Sequence, residues 1–147
     1  MPDASPSLEH LETMLVLRRV PLFERLEPED LQRIAMATVE QSFGPHATIM
    51  REGEAGQDLF VLLEGHVHVT RREPDGSERR VRDYVAGDHI GELAVLRDRP
   101  RSATVVAASQ GVRALVIDGE GLRAILRERP DAAMALLATL AERISTQ

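Results

Sequence analysis

Apolar positions recur at a helical period near the start of the chain. Within residues 8–19, Leu8, Leu11 and Leu15 lie three or four positions apart, which places them on one face of a helix. A second helix is predicted over residues 28–38, because proline suits a first helical turn and two acidic residues follow it at the positive end of the helix dipole. Helices are therefore expected before the main body of the chain.

Two further helices are predicted toward the C-terminus. Asp118 can cap a short helix that runs through Arg127, and Pro130 stops this helix. Residues 131–144 are rich in alanine and leucine and form the predicted terminal helix.

Between these helices the period changes to that of short strands. Glycine and proline separate brief apolar runs at close spacing, a pattern typical of an all-β sandwich or barrel. Pro74, Asp75 and Gly76 predict a hairpin turn in which glycine supplies the positive φ. The predicted strands cover residues 39–43, 47–50, 58–63, 66–72, 78–85, 101–108 and 112–117.

The predicted fold class is mainly β with flanking helices. We expect a jelly-roll-like antiparallel β barrel with N-terminal helices, one short helix inside the β region and C-terminal helices. Residues 1–7 are polar and contain proline, and they are predicted to be a flexible terminus. Residues 8–147 are predicted to form one domain, since the length fits a single hydrophobic core.

One glycine-led segment combines residue types that suit a sugar joined to a phosphate. Gly91 opens a turn, and the following Glu92, Leu93 and Ala94 can begin a helix whose free N–H groups attract an anion. Farther along, Arg101 starts a β-branched run, so its guanidinium can face that helix start. The acid can hold sugar hydroxyls, and the arginine can hold phosphate oxygens in a planar fork.

These residues resemble a known cassette. Gly91-Glu92-Leu93-Ala94 and Pro100-Arg101-Ser102-Ala103-Thr104-Val105 are similar to the phosphate-binding cassette of the cyclic nucleotide-binding domain family. That module occurs in cAMP-dependent kinase regulatory subunits, cyclic-nucleotide-gated channels and bacterial cAMP-responsive regulators. The resemblance covers nearly the whole chain.

The resemblance implies a cyclic nucleotide sensor, with no catalysis and no cofactor. Glu92 would accept hydrogen bonds from the ribose 2′-OH while Arg101 binds the phosphate. Ser102 favours cAMP, because threonine at this position tends to accompany cGMP in the family; cGMP remains the alternative ligand. Ligand occupancy would be coupled to movement of the terminal helices.

The resemblance also implies an apolar wall and a lid around the base. Val81, Val85 and Leu93 are candidates for the wall, and core packing explains them equally well. Arg143 and Ile144 on the terminal helix are candidates for the lid. On the same helix, a three-four-three spacing suits either packing on the chain's own core or a homodimer seam; it is formed by Met134, Leu137, Ala141 and Ile144.

Composition and charge narrow the function classes. The chain has 147 residues, no cysteine and a formal net charge of −6. Direct nucleic-acid binding is not expected, because it needs a basic surface. Without cysteine, neither a disulfide framework nor a thiolate metal site is available. No apolar run is long enough for a membrane span and no secretory signal is visible, so a cytoplasmic location is expected.

Two other functions stay open on the sequence alone. His66 and His68 lie two apart on a predicted strand with Glu73 nearby, an incomplete match to the metal motif of cupin-type enzymes. The chain would otherwise be the sensor fragment of a larger transcription regulator or transporter, since no helix-turn-helix follows the terminal helix before Gln147.

Overall fold

The computed structural model describes residues 8–92, 95 and 99–145, and the side chains of residues 9–92, 95 and 99–142. These residues form two compact units. A helical unit comprises the chain up to Thr38 and from Gly121 onward, and a β unit comprises Val39–Glu120. The predicted flexible terminus, residues 1–7, lies outside the described residues, and the single domain over residues 8–147 stays a prediction.

The helices predicted at the two ends of the chain are confirmed with small changes at their limits, whereas the short helix predicted inside the β region lies largely outside the described residues. Pro130 both ends one helix and begins the next, because its missing N–H is not needed in a first turn. A short 3-10 helix at Pro21–Phe23 was not predicted. The α-helices are α1 (Leu8–Arg18), α2 (Pro28–Met36), α3 (Gly119–Glu128) and α4 (Pro130–Ser145).

Hydrogen bonds from arginine side chains join separate helices within the helical unit. Arg129, between α3 and α4, donates from Nε to Asp30 Oδ1 of α2 at 2.8 Å, and Asp30 is only 1% exposed. The hydrogen bond to Asp30 raises the pKa of Arg129, with smaller contributions from neighbouring carboxylates. Arg25 donates to the buried Thr139 hydroxyl of α4 at 2.8 Å. Polar contacts therefore fix α2 and the preceding loop against the C-terminal helices.

The β unit contains two antiparallel four-stranded sheets. Their strand orders are β1-β8-β3-β6 and β2-β7-β4-β5. The expected jelly-roll-like fold is confirmed, although the sheets stay separate and do not close into a barrel. The strands are β1 (Thr38–Phe43), β2 (Thr48–Met50), β3 (Leu59–Glu64), β4 (His66–Arg72), β5 (Glu78–Val85), β6 (His89–Ile90), β7 (Thr104–Ala107) and β8 (Val112–Ile117).

One apolar core joins the inner faces of the two sheets. Phe60 and Leu62 of β3 contribute from one sheet, and Val67, Val69 and Val105 contribute from the other. Alternation along β4 explains Val67 and Val69, because every other side chain of a strand points to the same face. The strand β6 was not predicted; it is two residues long and too short to show a period.

The hairpin between β4 and β5 has the predicted turn. Gly76 has a φ of +89°, and the N–H of Ser77 donates to Asp75 Oδ1 at 2.9 Å. Hydrogen bonds from the Ser77 hydroxyl and N–H lower the pKa of Asp75. Beyond the turn the register shifts, with Val69 opposite Arg82 but Thr70 opposite Arg80. This bulge leaves Val81 as the extra residue of β5.

Within the described part of the chain, no helix combines the length and apolar character needed to cross a bilayer.

The buried pair in the helical unit predicts unequal effects of two substitutions. Arg129→Met leaves the buried Asp30 carboxylate without its cation, whereas Asp30→Asn leaves a partly exposed guanidinium that water can solvate. We expect Arg129→Met to lower the melting temperature more, as measured by circular dichroism. Arg33→Met, which breaks the exposed pair with Glu128, is the control and should change little. A larger loss from Asp30→Asn would contradict this assignment.

Candidate functional site

A cavity of about 620 Å³ lies in the β unit. This volume is within the usual range for small-ligand sites. Its apolar lining comes from both the strands and the segment after β6, and includes Met50, Val69, Ile90 and Val105. The same cavity is lined by four arginines and one carboxylate: Arg71, Arg82, Arg99, Arg101 and Glu92. An apolar floor with charged groups at its edge suits a ligand that has both a ring system and an anion.

Arg101 is held in this cavity from both its backbone and its side chain. Its N–H donates to Glu54 O at 2.9 Å, and its carbonyl accepts from the N–H of Gly53 at 2.9 Å. The residue is 8% exposed, and Nη2 donates to Asp58 O at 2.9 Å. Its Nη1 atom is buried and donates to no other described residue. A buried guanidinium nitrogen without an acceptor is what an absent anion would satisfy.

Burial works against the charge of Arg101. Desolvation lowers the pKa of the Arg101 guanidinium, and the nearby Asp58 only partly opposes this effect. Arginine nevertheless remains protonated in proteins. Because folding lowers its pKa, the protonated group costs stability at every pH below the folded-state pKa, neutral pH included. The buried charge of the Arg101 guanidinium is therefore unfavourable for folding, and an anionic ligand would neutralise it.

Two glycines allow the backbone to approach this guanidinium. A Cβ at Gly91 would lie 2.9 Å from Arg101 Nη1 and 2.7 Å from Asp58 O. Gly91 also has a φ of +98°, which disfavours any residue with a side chain. A Cβ at Gly56 would lie 2.9 Å from Arg101 Nε. Glycine therefore suits position 91 for two reasons, the positive φ of the backbone and the close contacts that a Cβ atom would make.

Glu92 lines the same cavity as Arg101. Its carboxylate lies 3.8 Å from the Nε2 atom of His89, which is buried. His89 belongs to β6, so this two-residue strand places the imidazole ring of His89 next to the carboxylate of Glu92. An acid and a guanidinium therefore border one hollow, as the sequence analysis expected.

Asp58 connects Arg101 to the start of α3. Its carbonyl accepts the bond from Arg101, and its Oδ1 accepts a hydrogen bond from the N–H of Gly119 at 3.3 Å. Gly119 must be glycine, since a Cβ there would lie 2.1 Å from Gln57 O. One residue thus contacts both the buried guanidinium and the first residue of α3.

The structure brings together about half of the predicted site residues. Gly91, Glu92, Arg101, Ser102 and Val81 all line the cavity. Val81 reaches it because the bulge in β5 alters the alternation of that strand.

The other predicted residues are not brought to the cavity by the described structure. Val85 is a correction, since it does not line the cavity and is 56% exposed. Alternation along β5 places its side chain on the face of the strand that Tyr84 does not share. Leu93 and Ala94 lie outside the described residues. Arg143 and Ile144 belong to α4, but their side chains lie outside what is described.

Sequence reasoning missed three cavity arginines, Arg71, Arg82 and Arg99. Arg71 lies two positions after the buried Val69 on β4, and Arg82 lies two positions before Tyr84 on β5. Alternation from those two residues could have found both arginines.

The alternative metal motif is only partly assembled. His66 and His68 share a face, with ring centroids 5.3 Å apart. His68 Nδ1 lies 2.9 Å from Asp83 Oδ1, while Glu73 pairs with Arg79 near the turn. Among the residues described, no group of three or more His, Cys, Asp or Glu side chains is placed to hold a metal ion. The geometry therefore does not favour the cupin-type reading.

Comparison with known families identifies the chain. Residues 40–129 match the family model of the cyclic nucleotide-binding domain. This match covers more than half of the 147 residues, and it contains all of the described cavity. The chain belongs to the cyclic nucleotide-binding domain family.

Two of the similar proteins are a transcriptional regulator and a kinase regulatory subunit. The CRP-like cAMP-activated global transcriptional regulator of Mycobacterium tuberculosis is 30% identical over 129 residues, which are 88% of this chain and 57% of the regulator. The cAMP-dependent protein kinase regulatory subunit of Colletotrichum orbiculare is 41% identical over 93 residues, which are 63% of this chain and 23% of that protein. The chain therefore spans only part of the length of either relative.

A solved structure agrees with the fold. The N-terminal domain of a transcriptional regulator from Streptomyces coelicolor A3(2) is 34% identical and superposes with a TM-score of 0.75. The alignment covers 89% of this chain and 91% of that domain.

The contacts of Gly91 predict a graded effect of alanine substitutions. Gly91→Ala combines a positive φ with two close contacts, whereas Gly87→Ala has a φ of +97° in open space. Gly44→Ala has neither problem. Strained backbone costs about 1–3 kcal/mol, so chemical denaturation should rank the losses Gly91, then Gly87, then Gly44. Equal losses at Gly91 and Gly87 would show that the approach to Arg101 is not tight.

Proposed function

We propose that this chain is a sensor domain that binds a cyclic nucleotide, and that cAMP is its ligand. The observation that carries the proposal is the buried Nη1 atom of Arg101, which has no acceptor among the described residues and lies in a cavity that Glu92 also lines. The anion in this arrangement is the cyclised phosphate, and the carboxylate holds the sugar. The chain's family and the names of its relatives support this proposal.

Each proposed contact follows from the chemistry of the group. The Arg101 guanidinium donates two parallel hydrogen bonds to phosphate oxygens, which a lysine cannot do in the same geometry. The Glu92 carboxylate accepts a hydrogen bond from the ribose 2′-OH. The family resemblance adds the backbone N–H groups of Leu93 and Ala94, which lie outside the described residues, as further proposed donors to the phosphate. The apolar floor at Val69 and Ile90 receives the base.

The choice of cAMP over cGMP rests on two observations. Ser102 lines the cavity at the position where family members that prefer cGMP tend to carry threonine. The Mycobacterium tuberculosis regulator and the Colletotrichum orbiculare kinase subunit both carry cAMP in their names. In this proposal the nucleotide is a ligand that is bound and released unchanged, without a metal cofactor. The proposed setting is cytoplasmic.

The proposed readout is a movement of the C-terminal helices. Asp58 supports this idea, because it binds the Arg101 guanidinium through its carbonyl and the first residue of α3 through its carboxylate. A ligand that draws the guanidinium toward itself also acts on Asp58. The proposed partner that receives the signal is an effector domain of a larger protein; the similar protein of Mycobacterium tuberculosis is named as a cAMP-activated transcriptional regulator.

A homodimer through α4 is a further part of the proposal. Met134 and Leu137 are 65% and 51% exposed and lie on one face of the helix, while Leu136 and Thr139 are buried on the other. The exposed stripe continues through Ala138 and Ala141. Sedimentation should show a dimer that Leu137→Asp converts to a monomer, and a wild-type monomer at all concentrations would remove this part of the proposal.

Arg101→Met should separate binding from folding. Without ligand, the variant should be as stable as the wild type or more stable, since it loses a desolvated charge. At a cAMP concentration of about 100 times Kd, the wild type should gain about 2.7 kcal/mol of unfolding free energy, and the variant should gain nothing. Thermal unfolding measures both quantities. Arg113→Met is the matched control, because Arg113 pairs with Glu40 and Glu64 away from the cavity.

A loss of stability in ligand-free Arg101→Met equal to that of a core substitution would mark Arg101 as a structural residue. No thermal shift of the wild type with cAMP or cGMP would count against the proposed function itself.

The ribose contact predicts discrimination against a 2′-deoxy ligand. Deoxy-cAMP leaves the Glu92 carboxylate without its donor, at a cost of about 1–3 kcal/mol. Calorimetric titration should therefore show weaker binding of 2′-deoxy-cAMP than of cAMP by about tenfold. Glu92→Gln should weaken cAMP binding and reduce this difference. Equal affinities in the wild-type protein would remove Glu92 from the ribose site.

A further inference from the structure

The cavity holds more positive charge than a single cyclised phosphate needs. Four guanidinium groups and one carboxylate line it, in a chain whose overall charge is −6. The single positive charge of Arg101 is enough to neutralise the one negative charge of a cyclic monophosphate. The remaining arginines, Arg71, Arg82 and Arg99, face only one carboxylate among the described lining residues, that of Glu92.

Arg82 is fixed in position. Its Nη1 donates to the Tyr84 hydroxyl at 3.0 Å, and the guanidinium carbon lies 5.3 Å from the centre of the Tyr84 ring. Tyr84 packs against the core of the β unit. The hydrogen bond to Tyr84 raises the pKa of Arg82, with smaller contributions that include Asp88 and Glu92. The group is therefore a positioned cation, and binding an anion would cost it little side-chain entropy.

Arg71 lies beside Arg82 on the same sheet. Val69 is directly opposite Arg82 in the register, and Arg71 follows Val69 on the face that lines the cavity. Arg71 forms no hydrogen bond or ion pair with another described residue. Arg79 is the residue directly opposite Arg71, so the relation between Arg71 and Arg82 is their shared cavity, where a bound anion would offset both positive charges.

Carboxylates elsewhere in this hairpin pair with arginines that do not line the cavity. Arg79 pairs with Glu73, and Arg80 donates from Nε to Asp83 Oδ1 at 3.0 Å. Neither Arg71 nor Arg82 has such a carboxylate partner within hydrogen-bond distance among the described residues. The hairpin thus neutralises its outer arginines and leaves those of the cavity available.

We infer that Arg71 and Arg82, with Arg99 at the cavity edge, form a second anion subsite, and that the cavity binds nucleotides with a second phosphate group more tightly than cAMP. This inference rests on the proposed function, because the first phosphate is the one that Arg101 holds. A phosphate is the anion of choice, since two guanidinium forks can share its oxygens. The apolar floor between the two subsites accommodates a base.

The test compares three nucleotides by calorimetric titration of the full chain. They are cAMP, cyclic di-AMP, which has two phosphodiesters in a ring, and adenosine 3′,5′-bisphosphate, which has two separate phosphates and no ring. At least one of the two nucleotides that carry a second phosphate should bind about tenfold or more tightly than cAMP, the effect of one charge-assisted hydrogen bond. The preferred one identifies whether the second phosphate comes from a cyclic dinucleotide or a linear nucleotide.

Variants then locate the subsite. Arg71→Gln together with Arg82→Gln should remove the advantage of the nucleotide with two phosphates and leave the affinity for cAMP nearly unchanged. Arg72→Gln is the matched control for the single variant Arg71→Gln, since it removes the same one charge from the adjacent position of β4, outside the cavity lining. Arg71→Gln alone affects an exposed side chain, so it guards against misfolding of the double variant.

The outcomes are separable. Binding of cAMP with no advantage for either nucleotide with two phosphates overturns the second subsite and leaves the proposed function intact. An advantage that the Arg72→Gln control removes equally also overturns it, because overall charge would then explain the effect. If no nucleotide binds, both the subsite and the proposed function fail.

Discussion

The site depends on one buried positive charge. Arg101 donates to the carbonyl of Asp58 and leaves a second nitrogen without an acceptor among the described residues, while burial lowers its pKa. Its neighbours keep it in place, because the backbone pairs with Gly53 and Glu54 and the glycines beside it leave no room for another side chain. The free energy for holding this unfavourable group comes from the apolar core that joins the two sheets.

The chain places its positive charge locally. The protein is acidic overall, yet the described cavity lining is rich in guanidinium groups. A local cluster of arginines can attract a small anion while the rest of the surface stays acidic. A uniformly basic surface would also attract nucleic acids. Membership of the cyclic nucleotide-binding domain family is consistent with a local anion site of this kind.

The sequence predicted best what local chemistry decides. Nearby residues are enough to predict the turn at Gly76 and the helix start at Pro28. A specific motif predicts that Glu92 and Arg101 line the same cavity. The sequence predicted less well what depends on register between strands. The bulge that turns Val81 toward the cavity and leaves Val85 outside is set by the partner strand β4, and no local period shows it. Strand β6 is too short to show any period.

The Arg101 nitrogen that has no acceptor in the described part of the chain also has a consequence for the lifetime of the protein in a cell. A ligand that binds only the folded chain lowers the population of unfolded molecules, and proteases act on that population. The ligand-free chain carries the full cost of its buried charge, so it is the form more exposed to degradation. Abundance would then follow the concentration of the bound anion, and the same guanidinium would set both the response to the signal and the number of receptors present to receive it.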